Sequence, residues 1–389
     1  MSLQFNVLII GGGIVGLTAA LAMAQRGFTV AVIDAGSLKV ENSQSDTRVY
    51  AINHASQALL QQLNAWQYLV SARVSPYRRM YVWDAESKAH IDFDSRHVGA
   101  SNLGSIIEES VLKHALLQQV STQSSIHLFP ECRVEEVFCE EAGVRVCSKQ
   151  QTWEGQLLMV ADGANSPVRQ QLKVPLNSWS YDQHALVATV SVEKEHQQTA
   201  YQVFRADGPL AFLPLADAHQ CSIVWSTKPA HVERLMNLSV SEFNASLTEA
   251  FARKLGQVEV ISTRHQFPLQ MRHVKHYVGN RWLLLGDAAH TIHPLAGLGL
   301  NLGLADVYSW MDCLNAAHGK LVSKKALGAY QRERKNAVWQ TILLMEGFKR
   351  LFSNSFMPLV TLRGLGLNVC NGLSPIKRLF IQHAQGTHQ

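Results

Sequence analysis

Six cysteines are scattered along this sequence, Cys132, Cys139, Cys147, Cys221, Cys313 and Cys370, and no two of them form a C-x-x-C pair. That absence argues against a zinc knuckle or a disulfide framework and fits a reduced, cytoplasmic chain. No long basic run is present either. The net charge is only +5 over 389 residues, so nucleic acid is not an expected partner. Charged residues are scarce at 17% against 47% apolar, as in a globular and somewhat apolar protein whose length suits two domains. Internal repeats and low-complexity linkers are missing. His290 and His293 stand three apart, but no third ligand and no helical H-E-x-x-H pattern accompanies them, so no metal site is expected. One uncharged run, Val7–Ala24, has roughly membrane-spanning length. No Lys or Arg precedes it, as a signal peptide would require, and Gly11, Gly12 and Gly13 divide it into two different periodicities.

The stretch that organises the chain is Arg281–Asp306, RWLLLGDAAHTIHPLAGLGLNLGLAD. It reads as a short buried strand over Trp282–Leu285 ending at Gly286-Asp287. A loop rich in His, Pro and Gly follows, and then a helix. A strand, a glycine-rich turn and a helix N-terminus together favour a polar or anionic ligand, because backbone N–H groups converge there and glycine permits close approach. The N-terminus offers the complementary half. Phe5–Ile10 is an apolar run broken only by Asn6, as in a strand buried on both faces. Gly11, Gly13 and Gly16 then fit G-x-G-x-x-G, a helix runs to about Gln25, and a second buried strand, Phe28–Ile33, ends at Asp34. In such a unit Gly11 makes the tight turn, Gly13 admits a pyrophosphate, Gly16 lets helix and strand pack closely, and Asp34 accepts from ribose hydroxyls. An acid at that point suits NAD or FAD better than NADP.

Between these ends, a polar loop over Ala35–Thr47 delivers Arg48, which faces either a flavin or phosphate, or solvent. A helix is expected over Ser56–Leu63, a hairpin over Tyr81–Phe93 and an amphipathic helix over Ile106–Gln119. Short strands at Ile126–Phe129, Arg133–Cys139 and Val144–Cys147 suggest a meander. Gln156–Val160 is another apolar strand and runs into Asp162-Gly163. Ser166 and Arg169 follow, as a polar cofactor edge, a helix cap, or both. Residues from about Ser180 to Phe267 turn to strands, with no second G-x-G-x-x-G, as in an inserted substrate domain. The part beyond about Lys324 is helical and apolar-basic. It suits either an anionic membrane surface or packing on the core or a partner.

Three motifs in this order, G-x-G-x-x-G, D-G and G-D, resemble the aromatic-hydroxylase class of FAD-dependent monooxygenases over nearly the whole chain. GDAAHTIHPLAGLGLNLGLADV, with Tyr50–Trp66 and Ser75–Asp94, is similar to the ubiquinone-biosynthesis hydroxylases. The sequence departs from that pattern at Leu298, Ala305 and Glu109, where the family usually carries Gln, often Arg and commonly an amide. The resemblance implies a para-hydroxybenzoate-hydroxylase-like α/β fold. A Rossmann-type FAD-binding domain (1–76, 98–180 and 270–325) is interleaved with an α+β substrate domain (77–97 and 181–269), and a helical region (326–389) follows. It also implies an FAD site built by Gly11, Gly13, Gly16, Asp34, Arg48, Val134 beside adenine, Asp162, Gly163, Gly286 and Asp287. Pro294, Gly297, Leu298, Gly299, Leu300 and Asn301 would flank the isoalloxazine. His293, Pro294 and Arg48 are the residues expected nearest the chemistry.

The implied reaction uses NAD(P)H to reduce FAD, O2 to form a C4a-hydroperoxide, and transfer of its terminal OH to the ring of a polyprenylated phenol or benzoquinol. The hard chemistry belongs to the cofactor, while the protein orients the ring and excludes water. The expected setting is the cytoplasm, at the membrane face, with a biosynthetic complex or a homo-oligomer as further partners. Alternatives are a flavin monooxygenase for a soluble aromatic, an FAD oxidase or dehydrogenase, and a non-catalytic flavin-bound subunit.

Overall fold

The computed structural model describes residues 2–39, 46, 48–292, 298–352 and 356–386. Its centre is a six-stranded sheet in the order Val278–Gly279, Trp282–Leu284, Leu157–Val160, Val7–Ile10, Val30–Ile33 and Ile126–Phe129. All neighbours are parallel except the first pair. The four inner strands are buried along their whole length. That explains why they read as unbroken apolar runs rather than alternating ones: helices or other sheets cover both faces. The Val7–Ala24 run resolves into the strand Val7–Ile10 and the helix Ile14–Ala24, both inside the core.

Register decides where the site is. Ile10 pairs with Ile33 and with Val160, and Val160 pairs with Leu284. Four strands therefore end level with one another. The residues that follow them, Gly11, Asp34, Ala161-Asp162 and Leu285-Gly286-Asp287, emerge along one edge. Ligands of open parallel sheets bind at such carboxyl ends.

Two expectations are corrected here. Ile126–Phe129 does not belong to the meander but closes the edge of the parallel sheet beside Val30–Ile33. The meander is built from Glu136–Cys139, Val144–Cys147 and Thr152–Gly155, with Ser2–Gln4 added in parallel. Ile106 and Ile107 are not helical. They lie in the strand Gly104–Glu108, paired on both sides by Val49–Ile52 and Val74–Tyr77, and the helix begins only at Glu109. Two consecutive β-branched residues, each 1% exposed, suit a central strand better than a first helical turn.

A larger sheet stands apart from the parallel one. It runs His290–Thr291, His265–Val274, Leu176–Val192, Gln220–Thr227, Leu210–Pro214, Thr199–Phe204, Arg79–Asp84 and His90–Asp94, with Val258–Val260 added beside Leu176–Val192. The hairpin Arg79–Asp84/His90–Asp94 joins it through a parallel pairing with Thr199–Phe204. Helices Pro229–Asn237 and Val240–Ala250 cover one face, over a separate apolar cluster. There the Phe212 and Phe251 rings stack 3.7 Å apart.

Three helices end the chain, Lys324–Phe352, Met357–Gly372 and Ser374–Gln385. The first two meet the hairpin in a third cluster built on Val82, Ile91, Phe204, Met345 and Phe352. Among the described residues, no helix is long and apolar enough to cross a membrane.

Candidate active site

The first glycine turn is shaped by the motif next to it. Gly11 has φ +105°, and a Cβ there would lie 2.3 Å from the Ala161 carbonyl oxygen. A Cβ on Gly16 would lie 1.9 Å from the Gly11 carbonyl oxygen. Both positions therefore need glycine for packing. Gly13 differs: a Cβ there would meet nothing within 4 Å. Gly13 is also the N-cap of Ile14–Ala24 and supplies no side-chain acceptor. The N–H groups of that first turn lack a capping side chain and carry the positive end of the helix dipole. An open space over such a terminus suits an anion.

Asp34 ends the second strand as expected, but its carboxylate is partly engaged. Oδ2 accepts from Gly12 N at 2.5 Å and Oδ1 from Gly36 N at 2.7 Å. It thus fixes the glycine turn and its own loop, leaving further lone pairs for a ligand. Val134 packs partly buried against the core. The chain reaches it through Cys132, whose N–H donates to the Asp34 carbonyl at 2.8 Å.

The middle motif holds an unbalanced acid. Asp162 Oδ2 accepts from Val168 N at 3.3 Å, while its buried Oδ1 has no partner among the described residues. Burial pushes this carboxyl above the ordinary range, against the pull of Ser166 and Val168. Gly163 follows at φ +87° with open space where a Cβ would stand. Ser166 caps the short helix Pro167–Gln171 by accepting from Arg169 N, so the turn does cap a helix. Arg169 turns inward and is 3% exposed. It donates to the carbonyls of Ala288 and Ala164, each at 2.9 Å. Arg272 adds bonds to Ala164 O and Asn165 Oδ1. Arg169 therefore clamps the D-G turn to the G-D turn, and Arg272 ties the D-G turn to the strand His265–Val274.

The G-D turn rests on a buried charge network. Asp306 is fully buried. Its Oδ2 accepts from Gly286 N at 2.8 Å and lies 2.7 Å from His290 Nε2, and its Oδ1 accepts from Arg334 Nε at 2.7 Å. Burial alone would raise this carboxyl, but His290, Arg334 and the Gly286 N–H outweigh it and hold it below its ordinary value. His290 is spent in this network, in keeping with a structural role. Asp287, the next residue along from Gly286, is reachable by solvent, yet its surroundings desolvate the carboxyl and raise it above the ordinary range, against the pull of His290, Arg48 and Arg272.

Helix Leu298–Ala316 packs its Gly303 against Val15 and Gly286. Near its start the Asn301 side chain donates to Ala51 O at 2.7 Å and accepts from Asn53 N at 3.0 Å. The amide thereby ties the helix to the strand Val49–Ile52 that follows Arg48. A Cβ on Gly299 would meet nothing within 4 Å, and Leu300 packs partly buried on the core. Arg48 pairs with Glu109 at 3.5 Å and lies over the Tyr50 ring at 5.4 Å. The family departure at Glu109 thus gives Arg48 a counter-charge. His293, Pro294 and Gly297 lie outside the described residues, as does the side chain of Leu298.

Known proteins fit this geometry. A sequence family described as an FAD binding domain matches residues 4–344. The chain is 36% identical over 389 residues to the 3-demethoxyubiquinol 3-hydroxylase of Escherichia coli (strain K12), covering 98% of each. It is 32% identical to the human ubiquinone biosynthesis monooxygenase COQ6, covering 98% of this chain and 92% of the relative. The chain belongs to the ubiquinone-biosynthesis family of FAD-dependent hydroxylases. Its fold matches p-nitrophenol 4-monooxygenase PnpA of Pseudomonas putida DLL-E4 with a TM-score of 0.81 at 17% identity, over 98% of both chains.

This hydroxylase is therefore an FAD-dependent monooxygenase. The residues present fit FAD: an uncapped helix start faces open space at Gly13, and a buried carboxylate oxygen of Asp162 lacks a partner among the described residues. The supporting residues Asp306, Arg334 and Arg272 were not singled out from the hydroxylase sequence. The one available signal was an acid, Asp306, inside the apolar helical run Leu302–Val307, since a charge buried there demands a partner.

Proposed function

We propose that the hydroxylase acts on the aromatic ring of a polyprenylated phenol or benzoquinol in ubiquinone biosynthesis. The observation that carries this reading is full-length identity with relatives whose names state ubiquinone-biosynthesis hydroxylation, joined to level strand ends that bring three motifs to one edge.

Bound FAD, reduced by NAD(P)H, supplies the activation of oxygen. The chain supplies position. In this reading Gly11, Gly13, Gly16 and the first turn of Ile14–Ala24 hold the pyrophosphate. Asp34 takes a ribose hydroxyl and Val134 lies against adenine. Asp162 and Gly163 would hold the cofactor too, the carboxylate as acceptor and the glycine by leaving room. Gly286 and Asp287 serve the ribityl and pyrophosphate region, with Arg48 as the facing cation. By the family resemblance, the helix start Leu298, Gly299, Leu300 and Asn301, with His293, Pro294 and Gly297 before it, would hold the flavin ring and supply preorganised N–H dipoles that stabilise negative charge on it.

The segments 1–76, 98–180 and 270–325 would carry FAD, and 77–97 with 181–269 the substrate. A tailed substrate is a membrane lipid, so the work belongs at the cytoplasmic membrane face, alone or within a biosynthetic complex. The test is NAD(P)H consumption by FAD-loaded protein with and without a short-chain polyprenylphenol, with the product's ring position read by NMR. Phenol-stimulated oxidation with a hydroxylated product is expected. A bound flavin that answers to no phenol overturns the assignment.

A further inference from the structure

Twelve of the nineteen exposed large apolar side chains among the described residues lie between Trp339 and Phe380. The helix Met357–Gly372 shows why they stay outside. Its inner face is locked. Arg363 donates through Nε and Nη2 to the two oxygens of Asp84, at 3.0 and 2.9 Å, with both side chains fully buried. The same guanidinium donates to the carbonyls of Leu351 and Phe352 at the end of the preceding helix. Gly364 sits so close to Ser87 that a Cβ would lie 2.9 Å from its Cβ. A buried ion pair of this geometry fixes the rotation of the helix, because turning it would strand two charges in apolar surroundings. Leu362, Leu365 and Val369, spaced i, i+3 and i+7, are thereby held outward at 63, 59 and 57% exposure. Phe356 and Met357 extend this apolar surface at the helix start and Leu373 at its end. Isolated exposed apolar residues need no explanation, but a rigidly presented stripe does.

Charge selects the occupant. From Gly347 to Gln389 the chain holds no Asp or Glu, while Lys349, Arg350, Arg363, Lys377 and Arg378 lie in that span. Arg363 is spent on Asp84, Lys377 is buried, and Lys349 donates to Tyr181 O. Arg350 and Arg378 are exposed, Arg350 pairing with Glu346 one turn earlier. An apolar stripe flanked by exposed arginine, on a segment without acids of its own, complements anionic headgroups over hydrocarbon. It opposes self-association, because a two-fold contact would set the same basic patch against itself. We infer that the outward face of Met357–Gly372, with its basic flank, seats the hydroxylase on an anionic lipid surface without crossing it. This deepens the proposed function, since it rests on the reading that the substrate carries an isoprenoid tail, but lipid contact is measured without turnover.

The test uses the FAD-loaded full chain and sedimentation with vesicles, without substrate. One set is made of equal phosphatidylglycerol and phosphatidylcholine, the other of phosphatidylcholine alone. Expected is binding to the first at least tenfold tighter than to the second. The double variant Leu362→Glu/Leu365→Glu should lose at least tenfold in that binding, and Arg378→Glu should weaken it severalfold. Both variants should keep the flavin spectrum and melting temperature, and should hydroxylate a water-soluble short-tail phenol at the parent rate. Absence of sedimentation with either vesicle overturns the inference. So does undiminished binding by the double variant, or a stable dimer in light scattering that the double variant abolishes. Loss of short-tail turnover in the parent chain would instead count against the proposed reaction and leave the lipid contact standing.

Discussion

Gly13 and Gly16 lie three residues apart in one turn, yet a methyl group would meet opposite fates at the two. At Gly16 it would collide with the Gly11 carbonyl at 1.9 Å, and at Gly13 it would meet no described atom within 4 Å. Gly16→Ala is expected to disrupt the strand–helix junction and yield little folded protein. Gly13→Ala, with φ −76°, costs no backbone strain and should leave the melting temperature of the FAD-free protein within a few degrees. It should weaken FAD at least tenfold by crowding the space over the helix start. Fluorescence titration with FAD decides the matter, and unchanged affinity in Gly13→Ala would remove that glycine from the site. His273 carries a second prediction at this scale. It is 1% exposed, and burial, helped by His290 and Lys335, pushes its imidazole down to about 4. A histidine depressed in the fold binds its proton more readily when unfolded. Stability should therefore fall as pH drops from 6.5 towards 4, by on the order of 3 kcal/mol. His273→Gln should flatten that decline in urea-denaturation curves. An equally steep fall in the variant would assign the acid sensitivity elsewhere.

Among the elements, the core strands were the most legible part of the sequence. Runs such as Val7–Ile10, Val30–Ile33 and Leu157–Val160 are buried on both faces, so unbroken apolar character marked them regardless of periodicity. Their neighbours in space were not written there. Ile126–Phe129 reads like any short strand, and only its pairing with Val30–Ile33 puts it in the parallel sheet. Ile106 and Ile107 read as part of the helix that follows because a strand running straight into a helix leaves no turn residues between them. The cofactor motifs were legible because each rests on local spacing. The network behind them was not: Asp306 joins Gly286, His290 and Arg334 across three elements. Asp306→Asn keeps an acceptor for Gly286 but leaves the Arg334 charge buried without its counter-ion, at a cost of about 3–5 kcal/mol. Asp306→Asn/Arg334→Met should recover much of that loss, since the second change removes the buried charge left without a counter-ion. Denaturant unfolding of both variants measures it. A loss well under 1 kcal/mol in the single variant would mean the network does not support the G-D turn.

The molecule as a whole is organised by its two largest sheets, with a four-stranded and a three-stranded sheet beside them, and is closed by C-terminal helices latched through Arg363 and Asp84. The parallel sheet brings three motifs level, the larger sheet stands beside them, and an apolar, basic helix face looks outward. Together these are what the proposed hydroxylation of a lipid-borne ring requires. The most direct test is incorporation of labelled oxygen. FAD-loaded protein is given NAD(P)H, a short-chain polyprenylphenol and ¹⁸O₂, and the product is read by mass spectrometry. One ¹⁸O atom on the aromatic ring, with NAD(P)H consumed in step, is the predicted result. A ring left unlabelled while NAD(P)H is oxidised and oxygen leaves only as hydrogen peroxide would contradict the account.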